Sequence, residues 1–257
     1  DGHIYENIIR LFLIVYFIIG FYLSINAGIS TDEFIDRYRW NLNFEIIKYF
    51  LLGIGNHNFE ILNYDWRFHG IGFHYISEIY IYITSFFIKF NNLNIETSKV
   101  LINHSFLFIV FFISGLYSKK IVELIIYDKI YSNIFLIFYL LYPYILGHSF
   151  FNTTDIPFLF AWILCTYLSL KIFLTMHTGH KINISNIFLI SLLTEFLFSI
   201  RISGILILIQ YLIIFLITSK QMKISLIKIL KLNFINIFAF ILITVLLTFL
   251  FYPIFWI

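Results

Sequence analysis

Two acidic positions, Asp32-Glu33 and Asp155, carry most of the chemistry this sequence offers. A carboxylate within hydrogen-bond reach of a hydroxyl can take its proton. Two carboxylates with spare oxygens can hold a hard divalent cation. Asp155 lies in a polar stretch between two apolar runs, Gly147-His148-Ser149-Phe150-Phe151-Asn152-Thr153-Thr154-Asp155-Ile156-Pro157-Phe158, which has no Lys or Arg. Each acid also has a structural reading. Thr31 or Asp32 can cap the helix that follows, and Glu33 favours its positive end. Asp155 can cap a helix whose first turn holds Pro157. Elsewhere, Arg201 in Arg201-Ile202-Ser203-Gly204 follows Glu195 by one or two turns, and an ion pair and a cavity-facing site are both open. His74, Ser77 and Glu78 fall at i, i+3 and i+4, so they share a helix face. A metal held by His74 and Glu78 is the minor reading beside a polar face turned to protein or water. His177 and His180 have no further ligand types nearby and read as a plain loop.

The elements that must position these residues are membrane helices. Of 257 residues, 61% are hydrophobic and 12% charged, and the mean hydropathy is +0.92. No soluble domain of this size has that composition, so the sequence predicts an all-α polytopic membrane protein. The single cysteine, Cys165, excludes an intramolecular disulfide and a Cys-cluster metal site. A net charge of +3 says little about partners, and no nucleic-acid partner is expected.

Apolar runs predict spans over 7–29, 99–118, 130–147, 156–175 and 232–253. The run 184–219 would be about 54 Å long as one helix against a hydrocarbon core of about 30 Å. A break near Arg201 makes it two spans, for seven in all. The run 71–90 is apolar enough to span, but charge places it as a juxtamembrane or re-entrant helix. The loops with Lys119/Lys120/Lys129, Lys171/Lys181 and Lys220/Lys223/Lys228/Lys231 then all face the cytoplasm. Residues 30–98 become a first outer loop and 148–155 a second, which brings the carboxylates to one side. Within the first loop, Phe34, Tyr38, Leu42, Ile46 and Phe50 predict an amphipathic helix in the membrane interface, with Trp40 and Trp66 at headgroup depth. Residues 1–257 read as one transmembrane module. A chain that starts at Asp1 and stops straight after an apolar run is expected to be the N-terminal part of a longer one.

Several of these segments look familiar together. Thr31-Asp32-Glu33 after the first span resembles the acidic first-outer-loop motif of GT-C class glycosyltransferases. His148 to Pro157 resembles the second outer-loop motif of their protein mannosyltransferase-like branch, glycosyltransferase family 39. That branch often reads F-F-N-P-K-D-I-P, so Thr153-Thr154 departs from it, and a phosphate-holding role for the lysine has no counterpart here. Arg201-Ile202-Ser203-Gly204 and Tyr252-Pro253-Ile254-Phe255-Trp256 are similar to the branch's Arg-x-Ser/Thr-Gly and Y-P-x-x-W segments.

The resemblance covers essentially the whole chain. It implies an inverting, integral-membrane transferase, in a bacterial inner or plasma membrane, that moves a sugar from a polyprenyl-phosphate donor to a protein, lipid or glycan acceptor. Asp32 would be the base, Glu33 its assistant, and Asp155 a positioning group. Arg201, His148 and Asn152 would bind substrate. A divalent metal bridging Asp32 and Asp155 is an optional cofactor. Membrane lipids are expected neighbours. The rival expectation is a secondary transporter or channel-like protein using Glu78, Glu195 and Arg201 within the membrane.

Overall fold

A computed structural model describes residues 2–55, 59–63, 69–87, 93–177, 182–222 and 226–257. Asn56, Asp65, Trp66, Arg67, His180, Lys181 and Lys223 lie outside the described residues. The described chain is helical throughout: α1 (Gly2–Ile25), α2 (Thr31–Leu52), α3 (Gly72–Thr84), α4 (Ile95–Ile126), α5 (Lys129–Leu141), α6 (Pro143–His148), α7 (Asp155–His177), α8 (Ile184–Ile200), α9 (Ile207–Met222) and α10 (Leu226–Phe251). Short 3-10 turns cover Glu60–Asn63, Ile202–Leu206 and Pro253–Trp256. Five segments are long and apolar enough to cross a membrane: Tyr5–Ile25, Ile95–Ile126, Asp155–Met176, Ile202–Gln221 and Asn233–Phe251. By that measure the chain is a membrane protein. In the last of them only 6% of the most apolar window is buried within the chain, so the rest of that surface is left for lipid or another protein.

The remaining expected spans are shorter. The run 130–147 is two helices, because Pro143 pushes Tyr142 out of helical geometry, to φ −65° and ψ 112°. Pro143 then opens α6, where its missing N–H is harmless. The run 184–219 does break at Arg201, whose backbone is extended at φ −149° and ψ 135°. Its first part, α8, has 17 residues. The run 71–90 yields α3, with 13 residues, or about 20 Å.

The chain divides into two compact units. The first comprises Asp1–Asp36 and His74–Phe160, and the second Arg37–Phe73 and Ala161–Ile257. In the first, α4 packs on α1 and α5 around Leu107, Phe108, Phe111, Leu136 and Leu140, none of them exposed. α1 comes so close that a Cβ on Gly20 would stand 2.0 Å from the Phe108 ring. Tyr16 bonds the Leu140 carbonyl at 2.5 Å. Asn94 caps α4 and Asp128 caps α5 with their side-chain oxygens.

In the second unit α8 packs on α10. Trp162 donates to Gln210 and Gln210 to Thr166, each at 2.6 Å, joining α7 to α9. Leu42, Ile46, Phe59 and Ile61 form a small core against which Ile254 and Trp256 pack. The expected stripe on α2 is therefore split: Leu42 and Ile46 are buried, while Phe34, Tyr38 and Phe50 are exposed. A spacing of four drifts about 40° per step against 3.6 residues per turn, so one line of residues cannot hold one face. Trp40 is also buried, stacked on Phe44.

Residues 69–73 run against the end of α8, where a Cβ on Gly70 would meet the Ser199 carbonyl oxygen at 2.0 Å. Backbone cannot yield as a side-chain tip can. Gly70→Ala is expected to cost about 1–3 kcal/mol of stability, the usual range for overpacking. A thermal melt of the detergent-solubilised protein will show this as a lowered midpoint, and an unchanged midpoint would rule out the close approach.

Candidate active site

The first two turns of α2 hold three carboxylates, Asp32, Glu33 and Asp36, and each has a different setting. Glu33 is 4% exposed. One oxygen accepts the Ser30 N–H at 2.6 Å, the reciprocal half of a capping box. The other is 2.5 Å from Nε2 of His104, a fully buried residue on α4. A carboxylate only accepts, so Nε2 carries the proton of this bond. Nδ1 of His104 has no hydrogen-bond partner among the described residues. Asp36, also buried, accepts a short hydrogen bond from the Thr153 hydroxyl, 117 residues along the chain. Asp32 is exposed and has no hydrogen-bond or salt-bridge partner among the described residues.

The polar stretch before α7 is organised by Asn152. Its Oδ1 accepts the backbone N–H of Asp155 at 2.7 Å and of Thr154 at 3.1 Å, so Asn152 supplies a capping oxygen at the start of α7. Its Nδ2 donates to Asp155 at 2.9 Å and to Nδ1 of His148 at 3.0 Å. The His148 ring also packs between Tyr144 and Phe151. Pro157 sits in the first turn of α7, where its type fits. Within the first unit, then, the acids of α2 and the Asp155 stretch are joined through Asp36 and Thr153. Thr153 is one of the two residues that depart from the family pattern, and here it makes the joint.

In the second unit Arg201 is exposed at the end of α8. It does not pair with Glu195. That carboxylate is fully buried, accepts from Thr248 at 2.8 Å with one oxygen and, among the described residues, has no hydrogen-bond partner for the other. The ion-pair alternative for these two residues is therefore wrong: a C-cap in extended geometry carries the guanidinium away from the helix face that holds Glu195. Arg201 instead gathers with His69 and Arg39. Partial burial, then Arg39, then Arg201 hold the His69 imidazole below the ordinary histidine range. On α3, His74 and Ser77 are buried on one face with Ile81, while Glu78 is only half-buried at its edge. The polar-face reading fits this better than a His74–Glu78 metal pair.

Among the described residues no three His, Cys, Asp or Glu side chains gather as a metal site. No known family model, curated protein or solved structure matches the chain. Sequence reasoning missed His104, Asp36 and His69. A histidine inside an otherwise apolar span is itself a signal. Asp36, three residues after Glu33, could have been placed on the same helix face.

Two outcomes follow from this geometry. Thr153→Val removes one hydrogen-bond donor to buried Asp36 and is expected to cost about 1–3 kcal/mol. Thr153→Ser should restore it. Hydrogen exchange at residues 31–36 should quicken in the Val variant only, and equal exchange in both would contradict the joint. Secondly, Arg201→Gln should raise the His69 pKa, read by imidazole NMR. His69 is held neutral to lower pH in the folded chain than its ordinary 6.5, so its contribution to stability is present above that value and lost as pH falls through the folded one.

Proposed function

We propose that the chain is an integral-membrane glycosyltransferase with seven spans, the five long helices together with α5/α6 and α8. It transfers a sugar from a polyprenyl-phosphate donor to a hydroxyl acceptor at the outer membrane face. The observation that supports this reading is the Asp36–Thr153 bond. It draws together the two acidic segments that the resemblance assigns to one catalytic site, although they lie far apart in sequence.

The roles follow from the settings of the acids. Asp32 is exposed and unpaired among the described residues, so it is the group available to take the acceptor hydroxyl proton. The acceptor oxygen then bonds to the anomeric carbon as the bond from that carbon to the phosphate oxygen breaks, with inversion. Polyprenyl phosphate leaves with the bonding electrons. Glu33 has both oxygens engaged and serves as an anchor. Asp155 and His148, aligned by Asn152, orient the acceptor. The resemblance gives Arg201, in the second unit, the task of offsetting the leaving phosphate's charge, one that its planar fork suits. A divalent cation on Asp32 and Asp155, completed by water and donor phosphate oxygens, would lower the same charge in the manner of magnesium sites with few protein ligands.

One observation favours the transporter reading. Glu195 is an intramembrane acid with an unbonded oxygen. Its complete burial and its bond to Thr248 make it a packed helix contact without an aqueous approach.

The purified protein should consume a radiolabelled polyprenyl-phosphate sugar. Asp32→Asn should slow this by roughly a hundredfold or more, the scale for losing a positioned base. Its melting midpoint should stay at the wild-type value, because the exposed side chain holds nothing in place. Wild-type turnover in Asp32→Asn would remove Asp32 as base. No turnover of any such donor, with membrane flux instead, would decide for the transporter. Single cysteines in a Cys165→Ser background test the sidedness. An impermeant thiol reagent on intact cells should label the half-buried position 154 and spare position 120, and the reverse pattern would invert the topology.

A further inference from the structure

The second unit holds a cavity of about 210 Å³ among α7, α8, α9 and α10. Ile172, Phe173, Ile190, Leu212, Phe215 and Phe240 make much of its wall, and Asn236, whose amide donates to Asn233 at 3.4 Å, also lines it. Tyr211 also contributes, but its hydroxyl is turned to Thr194 at 2.8 Å. An apolar cavity of about 150 Å³ stays dry and accepts benzene, so this one suits a short length of hydrocarbon. Leu212 is 55% exposed and places the mouth on the outer surface of α9. Three of the four wall helices belong to candidate membrane spans. The molecules that can reach such a mouth are lipids.

Charge identifies which lipid. Phe215 and Lys220 on α9 are five residues apart, as are Asn236 and Lys231 on α10, or about 7.5 Å along each axis. Both lysines are exposed. Segments 170–190 and 210–240 contain Lys171, Lys181, Lys220, Lys223, Lys228 and Lys231 and no Asp or Glu. Basic groups between membrane helices at this level attract anionic headgroups. The polyprenyl phosphate of the proposed reaction is assigned elsewhere, to Arg201. That residue lies eleven positions beyond Ile190, about 16 Å toward the other end of α8.

We propose that this cavity holds one acyl chain of an anionic bilayer phospholipid, with its phosphate against Lys220 and Lys231. The site is separate from sugar transfer and stands whether or not that reaction is the right one. Native mass spectrometry tests it, on the full chain released from micelles with equal amounts of phosphatidylglycerol and phosphatidylcholine of the same acyl length. The wild type should retain phosphatidylglycerol preferentially. K220Q/K231Q should cut that preference by about tenfold or more, since each lysine near a headgroup is worth roughly fivefold. Leu212→Trp, at an exposed position, should block the mouth and lose both lipids without a change in melting midpoint. Equal retention of the two lipids overturns the proposal. So does undiminished retention in Leu212→Trp, and so does preferential retention of an added polyprenyl phosphate over phosphatidylglycerol, which would make the cavity a donor-tail site.

Discussion

A carboxylate removed from water has to be met by hydrogen-bond donors, or it costs several kilocalories per mole. The first two turns of α2 bury two, Glu33 and Asp36, three residues apart and so on one helix face. Glu33 is met by Ser30 and His104, and Asp36 by Thr153. These bonds fix where α2 begins in the first unit. They seat it on α4 and on the stretch that leads into α7. Everything proposed for Asp32 depends on this anchoring, because Asp32 stands a turn before Asp36 at the open end of the same helix. A loop carboxylate with no such support would sample many positions, and a base acts only from one within reach of the proton.

The same economy of partners runs through the Asp155 stretch. Asn152 uses both donors and its acceptor oxygen at once, on His148, Asp155 and two backbone N–H groups. The segment thereby keeps its shape with no lysine. Thr154, at the position where the family pattern has one, hydrogen-bonds Asn152 through its hydroxyl. In the second unit Arg201 leaves α8 in extended geometry and gathers with Arg39 and His69.

Much of the helical frame was legible in the sequence. The long apolar runs gave α1, α4, α7 and α10 nearly where expected, and the polar break at Arg201 was real, because hydropathy over twenty residues leaves few alternatives. The kink at Tyr142 was legible in Pro143 but was passed over inside an apolar run. Leu42 and Ile46 enter the small core of the second unit while Phe34, Tyr38 and Phe50 stay exposed, because residues four apart drift around the helix. Burial of Trp40 and the Glu33–His104 bond could not be read at all, since pairing across 71 residues depends on how helices pack and leaves no local pattern. Glu195 shows the limit from the other side: its nearest cation in sequence was the obvious partner, and its actual partner, Thr248, is 53 residues away.

The convergence of the two acidic segments can be measured without any substrate. With Cys165→Ser as background, Asp36→Cys and Thr153→Cys together place two thiols at the observed joint. A short bifunctional thiol reagent, applied to the protein in native membranes, should link them within one chain. A proteolytic cut between the two positions would then leave the halves attached until the link is cleaved. Linkage at the level of a control pair within one helix is the expected result. Two thiols that each react singly yet never link would contradict the joint, and with it the site built around Asp32.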